Sequence, residues 1–285
     1  MIRATPLLEP ARAGSLAVID YRCDAAAGEA AYPEVHEDYS VSFVRRGSFG
    51  YRCCGHGYEL VAGSVLVGRP GAEYTCTHEH RDGGDECLCF RVAPALVDTL
   101  GARPEAWRVG ALPPLPELMV MGELAQRAAD AADDVSLDEA GLQFVHRYVE
   151  LASGRADKPA ALRGIDRRRA VEAALWIEAH AAEPLELADS AHAAGLSEFH
   201  FLRLFTRVLG VTPHQYLLRT RLRHAARLLG EPSRTITEIA LEVGFNDLSN
   251  FVRTFRRAAG ISPGGFRAAA RGERKNFQDR LARAS

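Results

Sequence analysis

Cysteine and histidine side chains cluster in the first third of the sequence with a spacing that could hold a metal ion. Cys76, His78 and His80 alternate along a strand-like segment, so all three are expected on one face of a strand. Cys87 lies on the next predicted strand. Thiolates and imidazoles are ligands that hold Zn²⁺ or another soft metal tetrahedrally. These four residues therefore form a candidate site for such a metal.

Two other interpretations of the same residues stay open. The cysteines can be small buried apolar side chains, with the histidines at the polar mouth of a pocket. This interpretation is favoured, because no Cys-x-x-Cys pair exists and the strand register is unknown. A thiol that senses oxidants or electrophiles is a further alternative. The six cysteines all precede residue 90, and without a secretory signal pattern they are expected as reduced thiols or ligands and not as disulfides.

A second chemistry, the binding of a polyanion, is indicated near the C-terminus, where one unit occurs twice. Six residues of the first copy recur at a constant shift of 50 positions. The identical pairs are Phe201 and Phe251, Arg203 and Arg253, Phe205 and Phe255, Arg207 and Arg257, Gly210 and Gly260, and Pro213 and Pro263. Each copy predicts a short helix, a turn centred on Gly195 or Gly244, and a second helix, which is the pattern of a helix-turn-helix.

The second helix of each copy is expected to have one apolar and one outer, cationic face. The outer face carries Phe199, Arg203 and Arg207 in the first copy, and Ser249, Arg253, Arg256 and Arg257 in the second. Arginine pairs with phosphates and can also bind guanine through two hydrogen bonds. On a single helix these arginines could simply be a solvated surface, but their repetition at register favours insertion into the DNA major groove. A helix from Thr212 to Gly230 predicts a fixed spacing between the two copies.

These residues closely resemble the AraC/XylS family of bacterial transcriptional regulators. The resemblance is carried by residues 219–229 (ArgThrArgLeuArgHisAlaAlaArgLeuLeu), 236–256 and 260–263 (GlyIleSerPro), and it covers the C-terminal third of the chain. A much weaker similarity extends into the first 100 residues. The resemblance implies that the bases are contacted by Phe199, Leu202 and Arg203 in the first copy and by Leu248, Ser249, Val252 and Arg253 in the second.

The region from Tyr39 to Val92 predicts short strands, whereas residues 1–34 show no clear pattern. Apolar and polar residues alternate, Arg46-Gly47-Ser48 marks one turn, and further glycine-rich turns follow, which is typical of a small antiparallel β-barrel or jelly roll. The family resemblance implies a cupin-like effector domain here, with an interior that can hold one small molecule. His36 lies where cupin-type proteins often place a site residue, although a plain surface histidine is the favoured interpretation.

Two helices are predicted between the β region and the repeated units, over residues 115–132 and 137–152. The second carries an apolar stripe of Leu142, Val145, Tyr148 and Val149. The stripe predicts either packing against the barrel or, as in relatives, a dimerisation seam. The predicted fold class is multidomain α+β. Its expected parts are a cupin-like effector-sensing domain (1–110), a helical dimerisation or connecting segment (111–153), a linker (154–163), an all-α domain with two helix-turn-helix motifs joined by a linker helix (164–272), and a flexible tail (273–285).

Charge is divided unevenly along the chain. Residues 1–159 hold 15 Lys and Arg against 24 Asp and Glu, whereas residues 160–285 hold 20 against 13. The basic part coincides with the repeated units, as a polyanion partner requires. No run of 18 apolar residues and no signal pattern occur, so a cytoplasmic protein without a membrane partner is expected.

The function predicted from these observations is sequence-specific, DNA-binding transcription regulation with sensing of a small molecule or metal. The expected partners are double-stranded promoter DNA, that effector, a second copy in a homodimer, and RNA polymerase as a candidate. An enzyme is not expected. The alternatives are a cupin-type metal-dependent enzyme fused to a helical DNA-binding domain, and an architectural DNA-binding protein without a ligand.

Overall fold

The fold is described by a computed structural model that covers most of the chain. The described residues are 2–8, 16–26, 28–78, 84–100, 103–131, 134–153, 163–231 and 233–271, with the backbone alone at 134–136. Nearly all of the predicted linker and the whole predicted tail lie outside these residues. The described chain combines an antiparallel β region with a helical C-terminal region. No helix among these residues has the length and apolar character needed to cross a membrane.

The β region contains nine strands among the described residues. They are β1 (Ile2–Leu8), β2 (Leu16–Cys23), β3 (Pro33–Val35), β4 (Tyr39–Cys53), β5 (His56–Val61), β6 (Val65–Gly68), β7 (Glu73–Thr77), β8 (Asp85–Val92) and β9 (Ala111–Leu112). Six strands are hydrogen-bonded in the order β1-β2-β8-β4-β6-β9. The second half of β4 also pairs with β5 and β7, and β7 pairs with β3. Residues 1–34 showed no clear pattern, yet β1, β2 and most of β3 lie in this segment.

Strand β4 contradicts the predicted turn at Arg46-Gly47-Ser48. The strand continues through these residues, and its pairing with β8 shifts between Val44 and Arg46, which marks a β-bulge. Gly47 has a φ of 76°, and a Cβ there would collide with the carbonyl oxygen of Gly84. The glycine therefore serves a close approach of two backbones inside a long strand, which local sequence cannot distinguish from a turn.

The two faces of the central strands have different surroundings. Val41, Phe43, Leu88 and Phe90 belong to a core shared with the helices that follow the β region. The intervening residues, Ser40, Ser42, Cys87 and Cys89, line a cavity on the opposite side. Side chains alternate between the two faces of a strand. The apolar residues therefore face the helices, and the serines and cysteines between them face the cavity.

Three helices follow β8: α1 (Pro94–Thr99), α2 (Pro116–Asp130) and α3 (Asp134–Ala152), with a 3-10 turn at Pro104–Arg108 and β9 between α1 and α2. The apolar stripe of α3 packs into the chain's own core, since Val145 and Tyr148 are fully buried there and Leu142 packs against it. The Tyr148 hydroxyl also donates a hydrogen bond to the carbonyl of Ala106. The structure therefore supports the packing interpretation of this stripe.

Seven helices form the C-terminal region of the described chain. They are α4 (Gly164–Ala179), α5 (Leu187–Ala193), α6 (Glu198–Leu209), α7 (Pro213–Leu229), α8 (Ile236–Glu242), α9 (Leu248–Ala259) and α10 (Pro263–Ala270). The predicted caps of α7, α8 and α9 are present: Thr212, Thr235 and Asp247 accept hydrogen bonds from the backbone three residues on. Ser197 occupies the predicted cap of α6 without a side-chain cap bond.

Helices α5 and α6 form the first unit, and α8 and α9 form the second unit. Gly195 and Gly244 take positive φ values of 64° and 94° in the turns inside the two units, as expected. The first unit shares a core with Val61 of β5, and the second shares one with Val120 of α2. The two units are therefore in direct contact with the β region and its helices. The sequence did not predict this contact, because the linker shows no apolar periodicity.

Candidate functional site

Helices α6 and α9 hold the arginine-bearing faces at the surface. Each helix buries two phenylalanines: Phe201 and Phe205 in α6, and Phe251 and Phe255 in α9 are fully buried. Because these residues lie four apart, they fix one side of each helix in the core, and the opposite side faces solvent. The repeated sequence thus gives α6 and α9 equivalent exposed faces.

The exposed face of α6 carries an aromatic ring beside a cation. The Phe199 side chain is 64% exposed, which is unusual for so large an apolar group. The guanidinium carbon of Arg203 lies 5.5 Å from the centre of the Phe199 ring, within the range of a cation-π contact. This contact orients Arg203 across the exposed face of the helix.

The exposed face of α9 is polar at the equivalent positions. Ser249 replaces Phe199, and Arg253 donates a hydrogen bond of 3.4 Å to the Oδ1 of Asn250. Asn250 is exposed in the first turn, where its backbone N–H also donates to the Asp247 carboxylate at 2.7 Å. Asn250 is not among the residues predicted to contact DNA, although its place one residue before the buried Phe251 could have indicated it.

The predicted DNA-contacting residues are at the surface to different degrees. Those classed as exposed are Phe199, Arg203, Arg207, Leu248, Ser249, Arg253, Arg256 and Arg257. Leu202 and Val252 are half-buried, and Val252 also packs against the core of the second unit. The two arginines predicted to contact guanine, Arg203 and Arg253, therefore lie on exposed faces, while Val252 has less free surface than the prediction implied.

Helix α7 joins the units and is held by buried ion pairs. Arg223 is fully buried and bonds to Glu178 of α4, with Glu123 of α2 at 4.0 Å. Arg227, one turn further, donates a 2.7 Å hydrogen bond to Glu123. Buried charges of this kind require their partners, because an unpaired charge in the interior is costly. Helix α7 thus has a defined position against both α2 and α4.

A cavity of about 320 Å³ lies in the β region. Strands β2, β3, β4, β6, β7 and β8 all contribute to its wall. The wall combines thiols, imidazoles, phenols and charges: Cys23, Cys76, Cys87, Cys89, His36, His78, Tyr21, Tyr74, Glu34, Asp38, Asp85 and Arg91. Its volume is that of a pocket for a small molecule.

The predicted metal ligands are only partly brought together. Cys76, His78 and Cys87 line the cavity, and His80 lies outside the described residues. The close partners of His78 are not among the predicted ligands: its Nε2 lies 3.5 Å from the Cys23 sulfur and 2.9 Å from an Asp85 oxygen. Cys23 was missed because it ends a strand in the segment without a recognised pattern.

The thiols of the cavity favour their protonated form. Burial, and then the negative charge of Asp85, raises the pKa of Cys76 to about 12. Burial is also the main reason that the pKa values of Cys23, Cys87 and Cys89 are raised. A reactive thiolate requires the opposite shift, so these pKa directions give no support to an electrophile-sensing thiol.

His36 belongs to the cavity and is not a plain surface histidine. Its Nε2 lies 2.9 Å from the Tyr51 hydroxyl, and its ring stacks on Tyr74 with 4.1 Å between centroids. Burial, and then the positive charge of Arg91, lowers the pKa of His36 to about 4. His36 is therefore neutral near pH 7 and is held in place by aromatic neighbours.

Two exposed, cationic recognition helices on a repeated helix-turn-helix scaffold define a DNA-binding protein. In agreement, residues 190–269 match the family model described as "Helix-turn-helix domain". The probable transcriptional regulator LumQ of Photobacterium leiognathi is 38% identical over 88 residues, 31% of this chain and 36% of that protein. This chain thus spans about a third of LumQ in that match.

A longer match links the chain to the transcriptional activator RhaS of Salmonella arizonae, 28% identical over 255 residues, which is 82% of this chain and 87% of that protein. A solved structure of a transcriptional regulator with an AraC-type DNA-binding domain, from Chromobacterium violaceum, is 36% identical, with a TM-score of 0.35; it covers 36% of this chain and 91% of that one. The chain belongs to the AraC/XylS family of transcriptional regulators. Nothing in these relatives supports the alternative of a cupin-type enzyme.

Proposed function

We propose that this protein is a sequence-specific transcriptional regulator that binds a bipartite promoter site through α6 and α9. The single observation that carries the proposal is the pair of equivalent exposed helix faces, each with an arginine at the same register, joined by one helix. A continuous helix of 17 residues is about 25 Å long. Such a spacer suits two half-sites that lie about one turn of DNA apart.

The side chains of the two faces support a specific prediction of the bases. Arg203 and Arg253 each bind a guanine through two hydrogen bonds, and apolar neighbours such as Phe199 and Leu248 pack on thymine methyl groups. Asn250 extends this prediction, since an amide side chain can pair with adenine. Arg207, Arg256 and Arg257 contact phosphates, which give affinity without base preference.

The cavity of the β region is the proposed effector site, in a cupin-like domain with boundaries near residues 1 and 110. Strand β4, which contributes to the cavity wall, is linked to β2 by an ion pair and to α7 by a hydrogen bond. Arg45 of β4 pairs with Asp20 of β2 at 2.5 Å, and its carbonyl accepts a hydrogen bond of 3.2 Å from Arg227 of α7. A ligand that moves β2 or β4 would therefore act on α7 directly.

Membership of the family supports further proposals about partners and about the location of the protein in the cell. We propose a homodimer that acts in the bacterial cytoplasm, with RNA polymerase as a further partner. The dimer contact lies outside the buried stripe of α3. The DNA-binding domain is proposed to span residues 164–272, with 111–153 as the connecting helical segment.

The proposal is tested by measuring DNA affinity of the full-length protein with fluorescence anisotropy, on a selected site and on random DNA. Arg203→Ala and Arg253→Ala should each weaken specific binding by about 1–3 kcal/mol and relax the preference at one guanine. Arg207→Ala is the control, since loss of a phosphate contact should weaken binding to both DNAs alike. Equal losses on both DNAs for Arg203→Ala would instead support an architectural DNA-binding protein.

A further inference from the structure

Three potential metal ligands meet at one end of the cavity. The Nε2 of His78 lies 3.5 Å from the Cys23 sulfur and 2.9 Å from the Asp85 carboxylate. One donor atom from each of the three residues lies within 4.8 Å of the other two. The His78 and Asp85 side chains are about nine-tenths buried, at 9% and 10% exposure. The His78 and Asp85 side chains are therefore largely withdrawn from solvent.

The backbone fixes the three residues relative to one another. Cys23 and Asp85 are directly paired across the antiparallel strands β2 and β8. The carbonyl of His78, just after β7, accepts a 2.6 Å hydrogen bond from the Gly28 N–H, which follows β2. Ligands that are carried by paired strands keep their geometry better than ligands on free loops.

The separations fit a tetrahedral ion of the size of Zn²⁺. Zinc–sulfur and zinc–nitrogen bonds of about 2.3 and 2.0–2.1 Å place sulfur and nitrogen about 3.5 Å apart across a tetrahedral angle. The observed separation of Cys23 and His78 is 3.5 Å. The nitrogen and oxygen of His78 and Asp85, now at 2.9 Å, would move apart by about 0.5 Å as the metal replaces their shared proton.

The donor types select the class of metal. A set of one thiolate, one imidazole and one carboxylate suits Zn²⁺ and related first-row ions, whereas Mg²⁺ and Ca²⁺ prefer oxygen alone. The other Asp85 oxygen accepts a hydrogen bond from the Cys87 thiol at 3.6 Å, which orients the carboxylate as an outer partner. All three ligands line the cavity, so a fourth coordination position would face its interior.

We propose that Cys23, His78 and Asp85 bind one Zn²⁺-class ion, with a fourth coordination position open to the cavity. Binding releases the Cys23 thiol proton to solvent. The proton between His78 Nε2 and Asp85 moves to Nδ1 of His78 by exchange with solvent, so that Nε2 coordinates the ion and one proton is released in total. Water, or a donor atom of a small molecule in the cavity, completes the tetrahedron. The ion thus gives the cavity selectivity for small anionic or nitrogen-containing ligands. The role of the ion in effector binding rests on the proposed function, whereas the metal site itself does not.

The test uses the full-length protein, treated with chelator under reducing conditions and titrated with Co²⁺ as a spectroscopic substitute for Zn²⁺. We expect one Co²⁺ per chain, intense tetrahedral absorption bands, a thiolate-to-cobalt charge-transfer band, and displacement by Zn²⁺. Cys23→Ser should abolish the charge-transfer band, and His78→Gln and Asp85→Asn should each weaken affinity at least about tenfold.

Two substitutions serve as matched controls. Cys54→Ser removes an exposed thiol at the turn between β4 and β5, and Cys89→Ser removes a buried thiol of the same cavity wall. Both variants should keep the charge-transfer band. Circular dichroism establishes that each variant is folded, and Asp85→Asn, which preserves the shape of the side chain, provides the test if Cys23→Ser does not fold.

The proposal is overturned if the wild type binds no stoichiometric Co²⁺, or if Cys23→Ser and Asp85→Asn bind it as tightly as the wild type does. DNA affinity of the same preparations on a selected site is measured in parallel. Intact DNA binding without metal binding contradicts the metal site alone. Metal binding without specific DNA binding supports the metal site and contradicts the proposed function.

Discussion

The first unit presents Phe199, His200 and Arg203 to solvent where the second unit presents Ser249, Asn250 and Arg253. The buried sides of the two recognition helices are nearly the same, because both are set by a pair of phenylalanines four residues apart. The two units therefore share one scaffold. Their exposed faces have arginines in common at two positions, Arg203 with Arg253 and Arg207 with Arg257, and differ in the first turn of the helix. This difference predicts two half-sites that share a guanine and differ at its neighbours.

The two units also differ in what holds them to the rest of the chain. Near the first unit, Arg167 of α4 contacts Glu59 of β5 at 3.6 Å, and Val61 of β5 enters its core. The second unit packs on α2, and Val120 enters its core. The first unit is thus attached to the wall of the β region and the second to a helix behind it, so the two can respond differently to a change in the cavity.

The largest expected effect comes from the shared scaffold. Phe205→Ala and Phe255→Ala should each lower the free energy of unfolding by about 3–5 kcal/mol, because each removes a fully buried aromatic ring. Urea unfolding followed by circular dichroism measures the change. Phe199→Ala, on an exposed side chain, is the control and should change stability by less than about 0.5 kcal/mol. A much larger loss for one unit than for the other would contradict their structural equivalence.

The attachments should differ in strength. Glu123→Ala should lower stability by about 3 kcal/mol, since it removes a partner of the fully buried Arg223 and of Arg227. Arg167→Ala, which breaks a more exposed ion pair with Glu59, should cost about 0–1 kcal/mol. The same unfolding measurement compares the two variants. Equal losses of unfolding free energy in the two variants would contradict the stronger attachment that the buried charges predict.

The smallest effect concerns the residues beside the common arginine. Phe199→Ala should weaken specific DNA binding by about 0.5–1 kcal/mol, because Arg203 loses the ring that orients it. Ser249→Ala, at the equivalent position, removes no such contact and should have a smaller effect. Anisotropy titrations on one selected site compare the variants. A larger effect of Ser249→Ala than of Phe199→Ala would reverse the assigned roles.

The sequence predicted the helical region closely because its signals are local. Caps such as Thr235 and Asp247 and the glycines at 195 and 244 each fix a helix end through neighbouring residues. The β region was less predictable, because strand pairing joins distant segments. The requirement for glycine at position 47, beside the bulge, is explained by the close approach of Gly84.

Long-range pairing also explains which candidate site residues were missed. The pairing of Cys23 with Asp85 depends on a register that no local pattern encodes. The cationic recognition faces were accessible from the sequence because a helix determines its own faces, whereas the cavity cluster was not. The apolar stripe of α3 was likewise recognisable from the sequence, whereas the core against which it packs is determined by the fold.

Selection of binding sites by the full-length protein from a random DNA library tests directly whether α6 and α9 bind two half-sites. We predict two half-sites whose centres lie about 10 base pairs apart. Each should contain a guanine, flanked by thymines in the half-site of the first unit and by thymine or adenine in that of the second. Half-sites without guanine, or a single half-site with no second one at a fixed distance, would contradict bipartite recognition through Arg203 and Arg253.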